Sequence, residues 1–200
     1  MDRLPRVLVV TGTPGVGKTR ISKVLAERLE GLYISLTDIV KRENLCLYVD
    51  SERDTVVADL RVLSDRVSEI ISGSSCDVVV DGHYASEVVS SEMVSYAFVL
   101  RVEPDKLRFR LQERGYSEGK ILENLASEVL DVCLFDAVAC YGVEKVDEIE
   151  VTDKNVDEVI DEILGVINGR TKAKSGKVDW LGKLEEEDRL SELSEYLNWL

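Results

Sequence analysis

Positive charge is what this sequence is short of. Its 200 residues carry 25 Lys and Arg against 39 Asp and Glu, a formal net charge of −14. A chain this acidic repels phosphate backbones, which argues against broad nucleic-acid binding. Cysteine is scarce as well. Cys46, Cys76, Cys133 and Cys140 form no C-x-x-C pair and no metal-ligand spacing. Cys133 and Cys140 fall on one face of a helical pattern, where small buried thiols are expected rather than a disulfide or redox switch. No apolar run approaches the length of a membrane span, and residues 1–10 run straight into a strand pattern. The expectation is a cytoplasmic protein with no signal peptide and no membrane partner. Internal repeats and low-complexity segments are absent, and His83 is the only histidine. What remains is 44% hydrophobic and 32% charged. That suits one globular domain with a sizeable core, with room for an appendage.

In such an acidic chain, a place that gathers cations or backbone donors is informative. Gly12-Thr13-Pro14-Gly15-Val16-Gly17-Lys18-Thr19 fills every fixed position of the phosphate-binding pattern G-x-x-x-x-G-K-[ST]. Before it, Arg6 to Thr11 is a short β-branched run; after it, Lys18 to Leu29 has helical periodicity. A buried strand would deliver the loop, its glycines would let backbone N–H groups turn inward, and the helix N-terminus would add further donors. Lys18 would reach the β- and γ-phosphates of a nucleoside triphosphate and the Thr19 hydroxyl would meet Mg²⁺.

The rest of the chain alternates strand and helix patterns. Strands are expected at Leu32–Ser35, Asp77–Asp81, Tyr96–Val102 and Val146–Val151. Helices are expected from a cap at Thr37 or Asp38 to Glu43, over Thr55–Ser72, from Pro104 to Glu113, over Lys120–Ala139, and from Asp153 or Asn155 to Ile167. Residues Tyr48–Asp54 have no periodicity and read as a loop. The pattern predicts an α/β fold of the P-loop NTPase type: a doubly wound parallel sheet of about five strands flanked by helices, with ligands at the carboxyl ends of the strands. After Gly169 comes a basic, linker-like stretch, Arg170–Lys177, and then an acidic helix pattern over Leu184–Leu200. Its stripe of Leu190, Leu193, Leu197 and Leu200, with Trp199 nearby, either docks on the core or presents a partner surface.

Several side chains are placed to do chemistry. Asp81 ends a valine-rich strand, where a P-loop protein sets its second Mg²⁺ carboxylate; the competing reading is a cap for the next turn. His83, two residues on, could orient a water or touch a phosphate, or could be structural. Arg110 and Arg114 are one helical turn apart and repel each other unless an anion lies between, so they suit a phosphate clamp in a closing lid that continues to Lys120. An exposed helix end is the alternative, more so for Arg110. Arg101 ends a buried strand on the ligand side, and Lys41 and Arg42 follow the second strand; either set could meet a second substrate.

Gly12–Thr19, Asp81-x-His83 and Arg114-Gly115-Tyr116-Ser117-Glu118 occur here in the order seen in one family, as do Val99-Leu100-Arg101, Arg110-Leu111 and Glu123-Asn124. Over roughly residues 6 to 167 the chain resembles the atypical adenylate kinases, of the adenylate kinase isoenzyme 6 or CINAP-like type. The resemblance implies a nucleoside monophosphate kinase that converts ATP and AMP to two ADP with Mg²⁺, and that also has ATPase activity. It further implies a role in small ribosomal subunit maturation, through a ribosomal protein of that subunit. By motif match, ATP would contact Gly15, Gly17, Lys18, Thr19, Arg20 and Arg114. Lys18, Asp81, His83 and Arg114 would be catalytic, and Thr19 and Asp81 would hold Mg²⁺, the latter directly or through water. The kinase domain would span 1–169, with a monophosphate-binding segment at about 35–59, a lid at about 113–123, and a tail over 170–200. Position 20, often Thr or Ser in that family, is Arg20 here.

Overall fold

The structure, a computed structural model, describes residues 5–50 and 55–197. Its framework is a five-stranded, all-parallel sheet. In chain order β1 is Val7–Thr11, followed by helix α1 (Lys18–Arg28), β2 (Leu32–Ser35) and α2 (Leu36–Arg42). A hairpin of β3 (Cys46–Asp50) and β4 (Thr55–Ala58) leads into α3 (Leu60–Ser72), β5 (Val78–Asp81), α4 (Ala85–Val88) and β6 (Tyr96–Arg101). Then come α5 (Pro104–Glu113), α6 (Glu118–Val129), α7 (Val132–Tyr141), β7 (Val146–Glu150) and α8 (Val156–Ile167), and last α9 (Trp180–Glu186) and α10 (Ser191–Leu197). The sheet order is β2-β5-β1-β6-β7. Helices cover both faces, so its central strands are apolar on both sides: Val7, Leu8, Val9 and Val10 are all buried. One core packs Leu8, Val10 and Phe98 against α1, α5, α6 and α8; the other packs Val9, Val80 and Val99 against α2, α3, α4 and α7. This is the doubly wound α/β fold that the alternating pattern predicts.

Four local expectations are corrected. The first helix after β2 is capped by Ser35, whose hydroxyl accepts the Asp38 N–H at 3.2 Å, rather than by Thr37 or Asp38. Of the stretch expected as a loop, Tyr48–Asp50 belongs to β3, while 51–54 lie outside the described residues. The long helix begins at Leu60, not Thr55: the β-branched run Thr55-Val56-Val57 pairs antiparallel with β3, and the Asp59 carboxylate accepts the Val62 N–H. Val56 stands one turn ahead of Leu60, which is why helical spacing extended over a strand. The expected 120–139 helix is two helices, broken at Asp131 in the left-handed region at φ 58°. Asp131 leaves the helical path where its carboxylate bonds Arg101 at 2.5 Å. Elsewhere, Asn155 rather than Asp153 caps α8, in a capping box with Glu158.

The C-terminal segment lies against α5 and α6. In place of one helix over 184–200 there are two short ones, separated by Asp188 at φ 56°. Their buried anchors are Trp180, Leu184 and Tyr196, whereas Leu190 and Leu197 stay exposed; Trp199 and Leu200 lie outside the described residues. Arg189 holds the Asp105 carboxylate, and Lys183 pairs with Glu103. All four cysteines are free and half-buried, with the Cys140 thiol 3.2 Å from the Ser86 carbonyl. Among the described residues no helix is long and apolar enough to cross a membrane.

Candidate active site

The phosphate-binding loop follows β1 and depends on glycine at places where a side chain has no room. Gly12 sits at φ 132°, and a Cβ there would lie 2.4 Å from the Leu100 carbonyl oxygen. Gly15 packs onto Leu107 and Leu111. Gly17, at φ 111°, caps α1 without a side-chain acceptor, which keeps the first N–H groups of that helix available to an anion. Lys18 is buried and folds along the loop, its Nζ donating to the carbonyls of Gly12 at 2.7 Å and Thr13 at 3.0 Å. Burial pushes its pKa down, opposed by Cys133, Asp81 and Glu128.

β5 delivers the acidic partner. Its register sets Asp81 beside Val10 of β1 and Ser35 of β2, so three strand ends converge. One Asp81 oxygen accepts both the Thr19 hydroxyl at 2.7 Å and the Tyr33 hydroxyl at 3.0 Å. Burial and then Asp81 push the Tyr33 hydroxyl up, so it stays a donor. The Thr19 and Asp81 oxygens are hard donors that suit Mg²⁺. No cluster of three or more His, Cys, Asp or Glu able to hold a metal occurs among the described residues. The donor set therefore fits a cation that arrives with phosphates rather than one held in a protein cage.

His83 stands at the mouth of the same basin, edge-on to Tyr84 at 4.6 Å between ring centres. The ring exposes surface of its own, yet the protein around it removes enough water to depress its pKa to about 4, with Lys18 and Lys120 adding to the effect. At neutral pH it is an uncharged imidazole, able to accept a hydrogen bond.

The basin has a volume of about 810 Å³ and runs from the loop and Asp81 to Arg114 and Tyr116, with Ser35, Thr37 and Asp38 on its far rim. A hollow of about 350 Å³ adjoins it, sharing Gly15, Gly17, Arg20 and Arg114 and reaching Val156 and Val159. Arg110 reaches back to the Val16 carbonyl at 3.2 Å; burial, then Arg114, lower its pKa. Arg20 and Arg114 face both cavities and have no carboxylate partner among the described residues. In an acidic protein, two unneutralised guanidinium groups at one cleft form an anion site. The structure thus brings Gly15, Gly17, Lys18, Thr19, Arg20, Asp81, His83 and Arg114 around one space.

Other expected residues lie elsewhere. Arg101 turns away from the basin into a dry cluster, bonding Glu128 at 2.9 Å and Glu148 at 2.6 Å, so it cannot meet a second substrate. Lys41 and Arg42 are exposed on α2, and neither borders the basin. Lys120 pairs with Glu123 at 3.0 Å. Two residues were not foreseen. Tyr33 orients Asp81, and nothing in the local sequence marks it. Glu128 bonds the Thr13 hydroxyl at 2.5 Å from behind the loop. Its signal was a carboxylate on the apolar stripe of Ile121, Leu125 and Val129.

Known proteins resemble this chain in sequence and in fold. Residues 8–131 match the family model described as "AAA domain". A Methanocaldococcus jannaschii protein named "Putative adenylate kinase" is 39% identical over 176 residues, covering 88% of this chain and 93% of that one. A Methanothermobacter thermautotrophicus protein of the same name is 40% identical over 179 residues, covering 89% and 99%. Among solved structures, a shikimate kinase from Acinetobacter baumannii superposes with a TM-score of 0.59 at 16% identity, over 85% of this chain and 96% of that one. A gluconokinase from Sinorhizobium meliloti gives 0.56 at 18%, over 84% and 94%. These structural neighbours share the fold. The sequence relatives match over nearly their whole length at 39% and 40% identity, and on that ground the chain belongs to the AAA-domain family of these archaeal adenylate kinase-like proteins.

Proposed function

We propose that this protein is an adenylate kinase, transferring the γ-phosphoryl group of ATP to AMP to give two ADP. The observation that carries the reading is one cleft in which a P-loop, a strand-end aspartate and two arginines without a carboxylate partner among the described residues converge, in a chain 39% identical to the M. jannaschii protein. The loop amides and Lys18 would bind the β- and γ-phosphates, exchanging the Lys18 contacts to Gly12 and Thr13 for phosphate oxygens. Arg114, from the turn between α5 and α6, would stabilise charge on the transferring group and exclude water as that segment, about 113–123, closes as a lid. Mg²⁺ arriving with ATP would be held by Thr19 and, directly or through water, by Asp81, and would neutralise phosphate charge there. The acceptor would lie towards Ser35, Thr37 and Asp38, in the 35–59 segment, in line with the γ-phosphate.

ATPase activity is a second reading, favoured by the neutral His83 ring, which could position an attacking water. In that reading nucleotide turnover drives an assembly switch in small ribosomal subunit maturation. The −14 charge would complement a basic ribosomal protein. A small-metabolite acceptor is the remaining alternative on the same fold. A bisubstrate analogue with two adenosines joined by a polyphosphate separates these readings. It should bind at least tenfold tighter than ATP, because both nucleotides are captured at once. Affinity no better than that of ATP would remove AMP as the acceptor.

A further inference from the structure

Directly behind the phosphate-binding loop lies a charge cluster that the basin does not use. Glu128 on α6 is 1% exposed. Its Oε2 accepts the Thr13 hydroxyl at 2.5 Å. Its Oε1 accepts Arg101 Nε at 2.9 Å, the Val102 N–H at 3.1 Å and the Trp180 indole N–H at 3.1 Å. Arg101 also donates to Glu148, which is fully buried and takes the backbone N–H groups of Lys177 and Val178 on its other oxygen. One guanidinium cannot balance two buried carboxylates, so neutral donors must complete each shell. For Glu128 those donors are the Val102 N–H and, from two distant places, the Thr13 hydroxyl of the P-loop and the Trp180 indole of the C-terminal segment.

We propose that Glu128 is a positioning residue for the P-loop, and that Trp180, by completing its shell, couples the docked C-terminal segment to nucleotide affinity. The inference rests on the reading that this loop binds ATP. Thr13 carries the connection. Its hydroxyl is fixed by Glu128, while its carbonyl accepts Lys18 Nζ at 3.0 Å and the Val16 N–H at 3.3 Å. The residue anchored behind the loop is thus one of the two whose carbonyls hold the lysine in front of it. Glu128 itself touches no ligand, and its charge would repel phosphate; it acts through the orientation of Thr13. Without the indole N–H, Oε1 keeps Arg101 and the Val102 N–H but loses its third donor, so the carboxylate shifts towards the two that remain and moves Thr13 with it. Trp180 lies outside residues 8–131, so this support comes from beyond the matched AAA domain.

The test is the dissociation constant of Mg·ATP at 25 °C, with thermal unfolding alongside, for Thr13→Ser, Thr13→Val, Trp180→Phe and the Thr13→Val/Trp180→Phe double variant. Thr13→Val should weaken binding about tenfold, since it strands a buried carboxylate oxygen. Thr13→Ser, which keeps the hydroxyl, should restore it. Trp180→Phe keeps the buried ring and should weaken binding roughly three- to tenfold. The double variant should lose less than the product of the two single effects, because both pass through Glu128. By reciprocity, Mg·ATP should slow amide hydrogen exchange over residues 178–197 of the wild-type protein. A lowered melting temperature with unchanged Mg·ATP affinity in Trp180→Phe would make the contact merely structural and overturn the proposal. So would multiplicative effects, or exchange that ignores the nucleotide. Failure of the ATP reading looks different: the wild-type protein itself would then not bind Mg·ATP.

Discussion

Two charged clusters form at the ends of neighbouring parts of the sheet, one around Asp81 of β5 and one around Arg101 of β6. In the first, Thr19 and Tyr33 share one Asp81 oxygen and Lys18 bonds only backbone carbonyls. Its cations face a basin of about 810 Å³, and Arg114 has no carboxylate partner among the described residues. In the second, Arg101 at 2% exposure meets Glu128 and Glu148, which are buried as deeply as it is. Burial alone would lower the Arg101 pKa, but Glu128 and Asp131 outweigh it and the net shift is upward. One cluster leaves its charge for a ligand; the other satisfies its charge within the fold. A cation at a strand end is therefore not in itself a substrate site. What decides is whether carboxylates have already claimed it.

Breaking the dry cluster should cost the most stability. Arg101→Ala leaves two buried carboxylates unpaired and should lower folding free energy by about 3–5 kcal/mol. At this chain length that is a fall in melting temperature of very roughly 6–20 °C, checked by calorimetry. An unchanged melting temperature would mean that the cluster is not the buried ion network described. The open cluster should respond in the opposite way. Lys18→Ala removes a buried charge with no carboxylate partner, so the fold should persist while turnover falls by about 10²–10³-fold or more. Turnover near wild-type would remove Lys18 from the mechanism.

The smallest effect concerns His83 and sharpens the contrast further. Its folded pKa, about 4, lies below the unfolded 6.5, so the folded state binds fewer protons in between. Its contribution to stability is therefore full above about 6.5 and declines as pH falls towards 4. Between pH 6.5 and 8 it should add no ionisation to the rate profile. A rate-controlling pKa of 6 to 7 that vanishes in His83→Ala would contradict the neutral ring.

The contrast also explains what was legible in the sequence. The P-loop was, because Gly12 to Thr19 are contiguous and each fixed position has a local physical reason. The place of Asp81 was, because it ends a strand of the kind that pairs beside β1, from which the loop springs. Arg101 looked the same from its own strand, and its partners, Glu128 and Glu148, lie 27 and 47 positions away. No local pattern could have told a claimed cation from a free one. The β3–β4 hairpin was missed because Val56 keeps helical phase with Leu60, while its β-ladder depends on Val49 across the hairpin. The break at Asp131 was missed for the same kind of reason: its cause is a contact to Arg101 from another element.

The central claim is nucleotide-to-nucleotide phosphoryl transfer in the open cluster. The most direct measurement is the ADP formed from Mg·ATP as AMP is varied, with AMP consumption followed in parallel. Two ADP should form for every AMP consumed, at a rate that rises with AMP until saturation and falls at least about 10²-fold in Lys18→Ala. ADP formation that ignores AMP, with inorganic phosphate appearing in step, would contradict it and leave an ATPase.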